Sequence, residues 1–158
     1  MKNLFWKIRG FHQLNVFELQ AIFRLRQEVF IVEQNCAYLD ADGKDQFSDH
    51  LFGVDDDGRV VAYCRIVQPG ISYTEVSIGR IATHPDARRS GYGKVIMDKA
   101  ISFIEDKYGK TNIRIEAQQY LQKFYEMYCF EPVGNTYLLD GIEHIEMLRH
   151  SDNVHVKA

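Results

Sequence analysis

No apolar run in this chain approaches the roughly twenty residues that a membrane-crossing helix needs, so no membrane span is expected. Cysteine is scarce: Cys36, Cys64 and Cys129 are odd in number, far apart and without a C-x-x-C pair. That argues against a disulfide framework or a thiolate zinc site and fits a reducing, cytoplasmic setting. The opening residues, Met1-Lys2-Asn3-Leu4-Phe5-Trp6-Lys7, lack the apolar segment and cleavage site of a signal peptide. A basic surplus is also missing. With 19 Lys and Arg against 22 Asp and Glu, the net charge of −3 speaks against a nucleic-acid partner. His12, His150 and His155 show no ligand spacing, and no metal site is expected. No Pro/Gly/Ser-rich linker, repeat or low-complexity tract divides the 158 residues, so one domain over 1–158 is expected, with a core over about 5–150.

What is present alternates between strand and helix patterns. Phe5 to Phe11 reads as a strand. Asn15-Val16-Phe17-Glu18 has the form of a capping box, and Val16, Leu19, Ile22, Phe23, Val29 and Phe30 follow at helical spacing. Glu33 to Ser48 is polar and irregular, and a loop that long inside a compact domain is more often functional than idle. His50 to Val54 and Arg59 to Val67 read as a hairpin across Asp55-Asp56-Asp57-Gly58. Ser72 to Thr83 is the next strand. An apolar stripe through Val95, Ile96, Ala100, Ile101, Phe103 and Ile104 marks a helix ending near Gly109. Ile113 to Gln118 (strand), Tyr120 to Tyr128 (helix) and a hairpin across Asp140-Gly141 complete a mixed α/β order.

Arg88-Arg89-Ser90-Gly91-Tyr92-Gly93 lies between a strand and a helix. Glycines there let backbone N–H groups approach a phosphate, the helix directs its positive end at the same spot, and Arg88 and Arg89 add charge. Neither common cradle fits. A Walker loop needs Ser or Thr after Gly93-Lys94, where Val95 stands, and a dinucleotide fingerprint needs glycine where Ile96 stands.

The R-x-x-G-x-G pattern resembles the acetyl-CoA diphosphate loop of the GNAT N-acetyltransferase superfamily. Flanking segments agree: Ile81-Ala82-Thr83 before the loop, the strand Ile113 to Gln118 after it, and Phe124-Tyr125-Glu126-Met127-Tyr128-Cys129-Phe130, with Cys129 where glycine is usual. Leu25 to Gln34, Asn35-Cys36-Ala37-Tyr38, Asp40-Ala41-Asp42-Gly43 and Gly141-Ile142-Glu143-His144-Ile145 are similar to the ElaA-type branch. The resemblance implies a mostly antiparallel, twisted central sheet flanked by helices. It also implies transfer of an acetyl group from acetyl-CoA to a primary amine, of a small molecule or a peptide, by direct attack in a ternary complex. A homodimer is common among relatives.

By the same resemblance, the cofactor would contact Ile81, Ala82 and Thr83 along the strand and Arg88, Arg89, Ser90, Gly91, Tyr92, Gly93 and Lys94 in the loop, and Tyr125 would protonate the leaving sulfur. The general base stays open between Glu75, Glu33, Glu116 and His144, with Ser77 standing where some relatives carry a glutamate. Arg80, a charge inside an apolar strand, must either anchor a substrate carboxylate or pair with an internal acid. Gly79 beside it suggests a bulge that would suit a splayed strand. Glu33 and the loop acids Asp40, Asp42 and Asp45 would suit a cationic amine. Two other readings remain: a non-catalytic acyl-CoA sensor, and a partner-binding protein whose glycine loop only caps a helix.

Overall fold

The computed structural model describes residues 3–153; Met1, Lys2 and His155 lie outside that range. Seven strands form one sheet in the order β1-β2-β3-β4-β5-β7-β6. They are β1 Phe5–Gly10, β2 Ser48–Val54, β3 Val60–Val67, β4 Val76–Thr83, β5 Ile113–Gln118, β6 Phe130–Leu139 and β7 Ile142–Arg149. Every neighbouring pair is antiparallel except β4 and β5.

Alternation along the central strands sorts side chains to two faces. Leu51, Ala62, Cys64 and Ile66 join the apolar stripe of α2 (Tyr92–Tyr108), namely Ile96, Met97, Ala100, Ile101 and Ile104. Phe52, Tyr63 and Ala82 turn the other way, against Ile22 and Leu25 of α1 (Val16–Arg26). The capping box is present: Asn15 Oδ1 accepts from the Glu18 N–H (2.8 Å), and Glu18 accepts from the Asn15 N–H (3.0 Å). A short third helix, α3, spans Gln122–Glu126. Among the described residues no helix is long and apolar enough to cross a membrane.

Two irregularities create the site. Tyr63 pairs with Ala82 but Arg65 pairs with Gly79, so Cys64 faces both Arg80 and Ile81 across a bulge. The bulge lies where Gly79 predicts it, yet the left-handed residue is Arg80 (φ +49), a conformation that disfavours a side chain. In addition, β4 and β5 pair only at Val76–Ile113 and Ser77–Arg114, then part. A parallel pair held at one end opens at the other.

Several boundaries differ from the sequence pattern. The fourth strand starts at Val76 rather than Ser72, and Phe11–Gln13 is a tight helical turn rather than the end of β1. The helix begun at Val16 does not stop near Phe30; Gln27–Glu33 continues it in wider π turns. Such turns need register information from packing, and they often sit at functional sites. Cys129 occupies the glycine position of its motif at φ +70, so the turn forms despite the β-carbon.

Candidate active site

The parting of β4 and β5 opens a cavity of about 640 Å³. One side is bordered by Ile81, Ala82, Thr83, Arg88 and Gly93, and Tyr125 lies beside it. Glu33, Cys36, Tyr38, Glu116, Asp140 and His144 border the remainder. The predicted strand residues, with Arg88 and Gly93 of the loop, therefore meet the predicted acid and three of the four candidate bases, Glu33, Glu116 and His144, around one space.

The loop has the form a diphosphate requires. Gly91 sits at φ +80, where other residues are strained, and a β-carbon there would point into open space. The first intrahelical bond of α2 runs from Val95 N–H to Gly91 C=O (3.3 Å), so the preceding N–H groups of Gly93 and Lys94 lack helical acceptors. These donors and the helix dipole suit the phosphates of CoA. Arg89 (φ +65) and Lys94 are exposed, and Ser90 is partly so. Tyr92 departs from its predicted role: its side chain is buried and lies edge-on to Trp6 (6.3 Å between ring centres). It fixes the first turn of α2 to the core.

Tyr125 is 6 % exposed, with Phe124 and Phe130 as ring neighbours at 5.2 and 6.2 Å. Burial pushes its phenol pKa well above the ordinary value, so the hydroxyl keeps its proton. Helix α3 carries it to the cavity because Phe124, Tyr128 and Phe130 pack around the same turn.

His144 has a defined tautomer. Its Nδ1 lies 2.7 Å from the carbonyl of Ile142, which can only accept, so Nδ1 carries a hydrogen and the lone pair of the neutral ring is on Nε2. Tyr137, directly opposite across the β6–β7 pair, stacks on the imidazole at 6.3 Å and 24°. The Tyr137 hydroxyl donates to Glu116 (2.6 Å), and burial and this carboxylate raise the phenol pKa. Tyr137 was absent from the sequence-based assignment. A two-residue turn at Asp140-Gly141 puts 139 against 142 and hence 137 against 144, so the hairpin count held the signal.

Glu75, a candidate base, is placed away from the cavity. It is not among the cavity-lining residues, and Arg114 donates to both its oxygens (3.0 and 3.3 Å), which holds its carboxyl below the usual range. Ser77, two residues on, is buried. The loop acids are also otherwise engaged. Arg80 donates to Asp40 (2.7 Å) and Asp42 (3.3 Å), its internal-acid alternative, while still bordering the cavity and lying over the Tyr38 ring. Arg26 bonds Asp40 and Asp45, and Arg65 bonds Asp42 and Asp45. Three arginines from α1, β3 and β4 thus hold three aspartates of one loop, and Asp40, Asp42 and Asp45 are not the free anions that an approaching amine would meet. Glu33 is paired too: both its oxygens accept from Arg88, at 2.6 and 2.5 Å.

A bulged β4, a one-ended parallel junction and a glycine loop opening α2 thus meet at one cavity. The family model for the acetyltransferase (GNAT) domain matches residues 18–150. The chain is 41% identical over 143 residues to a UPF0039 protein of Synechocystis sp., covering 90% of this chain and 93% of that one. It is 36% identical to Escherichia coli ElaA over 146 residues, 91% of this chain and 95% of ElaA. The ElaA crystal structure superposes with a TM-score of 0.87, covering 93% of this chain and 99% of that one. An acyl-CoA N-acyltransferase from Pseudomonas aeruginosa superposes with a TM-score of 0.89 at 37% identity, with the same coverage. The chain belongs to the GNAT acetyltransferase family, in its ElaA-like branch.

Proposed function

We propose that this protein moves an acetyl group from acetyl-CoA to a primary amine by direct attack in a ternary complex. The observation that carries the reading is the single cavity joining the Gly91 loop, the β4 bulge, the buried Tyr125 and the Nε2 lone pair of His144. In this reading the loop N–H groups and Arg88 hold the diphosphate, while backbone at Ile81 to Thr83 aligns pantetheine and polarises the thioester carbonyl. The Nε2 atom of His144 takes a proton from the amine, whose nitrogen bonds the acetyl carbon. As the carbon–sulfur bond breaks, Tyr125 gives its proton to sulfur. Cys36 is a poor acyl carrier, since its thiol faces the Asp140 carbonyl (3.9 Å), which cannot take up a proton. Glu116 and Asp140 on the cavity lining favour an acceptor that carries positive charge.

Calorimetric titration with acetyl-CoA tests the reading. Binding is expected in wild type, and weaker binding by about tenfold or more in an Arg88→Ala, Gly91→Ala double variant that keeps its fold. Unchanged affinity would remove the loop from the assignment. The base is tested separately. His144→Ala is expected to lower turnover about a hundredfold at unchanged CoA affinity, a typical general-base contribution. A normal rate would return the role to Glu116 or to water. CoA binding with no turnover on any amine would favour the sensor alternative.

A further inference from the structure

Arg88 is the motif's arginine, yet its guanidinium is already engaged on both terminal nitrogens by Glu33, and its Nε donates to the Thr83 carbonyl (3.2 Å). Glu33 closes the π-turn segment Gln27–Glu33, directly before the loop that carries Cys36 and Tyr38 to the acceptor side of the cavity. The two partners are 55 positions apart in the chain and both partly exposed, so the pair is open to exchange rather than locked in the core. A carboxylate and a diphosphate ask for the same planar fork of donors, and two anions beside one guanidinium repel each other.

We propose that Glu33 competes with the CoA diphosphate for Arg88, so that cofactor binding transfers this carboxylate from the phosphate loop to the acceptor side. The inference rests on the acyl-CoA reading above and adds a role to it. Glu33 becomes a specificity-determining residue: held by Arg88 it is neutralised, and released it presents charge to an incoming ammonium group. The neighbours fit an exchange. Glu116 is engaged by the Tyr137 hydroxyl and Asp40 by Arg80, while His84 contributes to the field that holds Glu33 ionised. Hydrogen bonds from Arg88 are the main reason Glu33 stays below the usual carboxylate range, and loss of that partner raises it again.

Calorimetry on wild type and Glu33→Gln, with CoA and with pantetheine as the diphosphate-free probe, tests this. Glutamine keeps the shape and removes the charge. CoA is expected to bind Glu33→Gln about fivefold more tightly, with pantetheine unchanged, and the difference should shrink at high salt because the competition is ionic. Equal or weaker CoA binding by Glu33→Gln overturns the competition and leaves the acyl-CoA reading standing. Equal tightening for pantetheine also overturns it, because the effect would then not need the diphosphate. Failure of both proteins to bind CoA overturns the acyl-CoA reading and this inference together.

Discussion

Tyr125→Phe is expected to lower turnover about a hundredfold or more while leaving CoA affinity unchanged, a typical loss for a general acid. The substitution removes one oxygen. No hydrogen bond to that hydroxyl occurs among the described residues, and the ring contacts with Phe124 and Phe130 survive, so stability should barely move. Burial raises the phenol pKa, and the group is therefore protonated through the neutral range and beyond. The acid must carry its proton, and it does; because a thiol's pKa is about 8.5, transfer from the phenol to the thiolate is uphill, and burial of the phenol adds to that gap rather than reducing it. Thiol release from acetyl-CoA, followed with an amine that the wild type acetylates, checks the rate. Calorimetry checks affinity. An unaltered rate would reduce Tyr125 to a core aromatic.

The largest stability effect should come from Arg26→Ala. Arg26 has no exposed surface and donates to Asp40 Oδ2 (2.9 Å), Asp45 Oδ1 (2.7 Å) and the Asp40 carbonyl (3.0 Å). Its guanidinium also lies over the rings of Phe23 and Tyr63. Burial opposes its charge, but the carboxylates of Asp45 and Asp40 more than offset this and keep it protonated. Removing it leaves Asp40 with Arg80 alone and Asp45 with Arg65 alone and empties a buried space, a loss of about 3–5 kcal/mol, or on the order of 10 °C in Tm for a chain of this size. Thermal and urea unfolding measure this. A loss below about 1 kcal/mol would mean that Arg65 and Arg80 carry the aspartates without it.

The same network sets an acid limit. Burial raises the Asp42 and Asp45 pKa values, but hydrogen bonds and charge from Arg65 and Arg26 respectively, with further help from Arg80 and Arg65, bring both below the ordinary value. For a carboxyl depressed in the folded state, the stabilisation is complete above the unfolded pKa of about 3.9 and is lost as pH falls through the folded value. Stability contributed by this network should therefore hold from neutral pH to about pH 4 and fall below it. Urea midpoints across that range check the sign; a decline already complete at pH 5 would contradict it.

Much of the architecture was legible because it is written in short-range patterns. The capping box at Asn15, the apolar stripe of α2 and the turns at Asp55 to Gly58 and Asp140-Gly141 are local signals, and each formed where the spacing put it. The glycine loop was legible for the same reason: a left-handed Gly91 before a helix needs nothing from elsewhere in the chain. The roles of the charged residues were not legible. Arg26, Arg80, Glu33 and Glu75 each had several candidate partners at sequence separations of 14 to 55, and composition does not rank them.

By itself, then, the sequence determined the elements, their order and the glycine loop, because backbone propensity, periodicity and glycine conformation act within one turn or strand. Only the tertiary structure decided which charges are spent on holding the fold and which face the cavity. The meeting of Arg80 with Asp40, of Arg114 with Glu75 and of Arg88 with Glu33 depends on the β4 bulge and on how far β4 and β5 part. Those are packing outcomes of the whole sheet, and they turned Glu75 into a structural ion pair while leaving the imidazole of His144 open at the site.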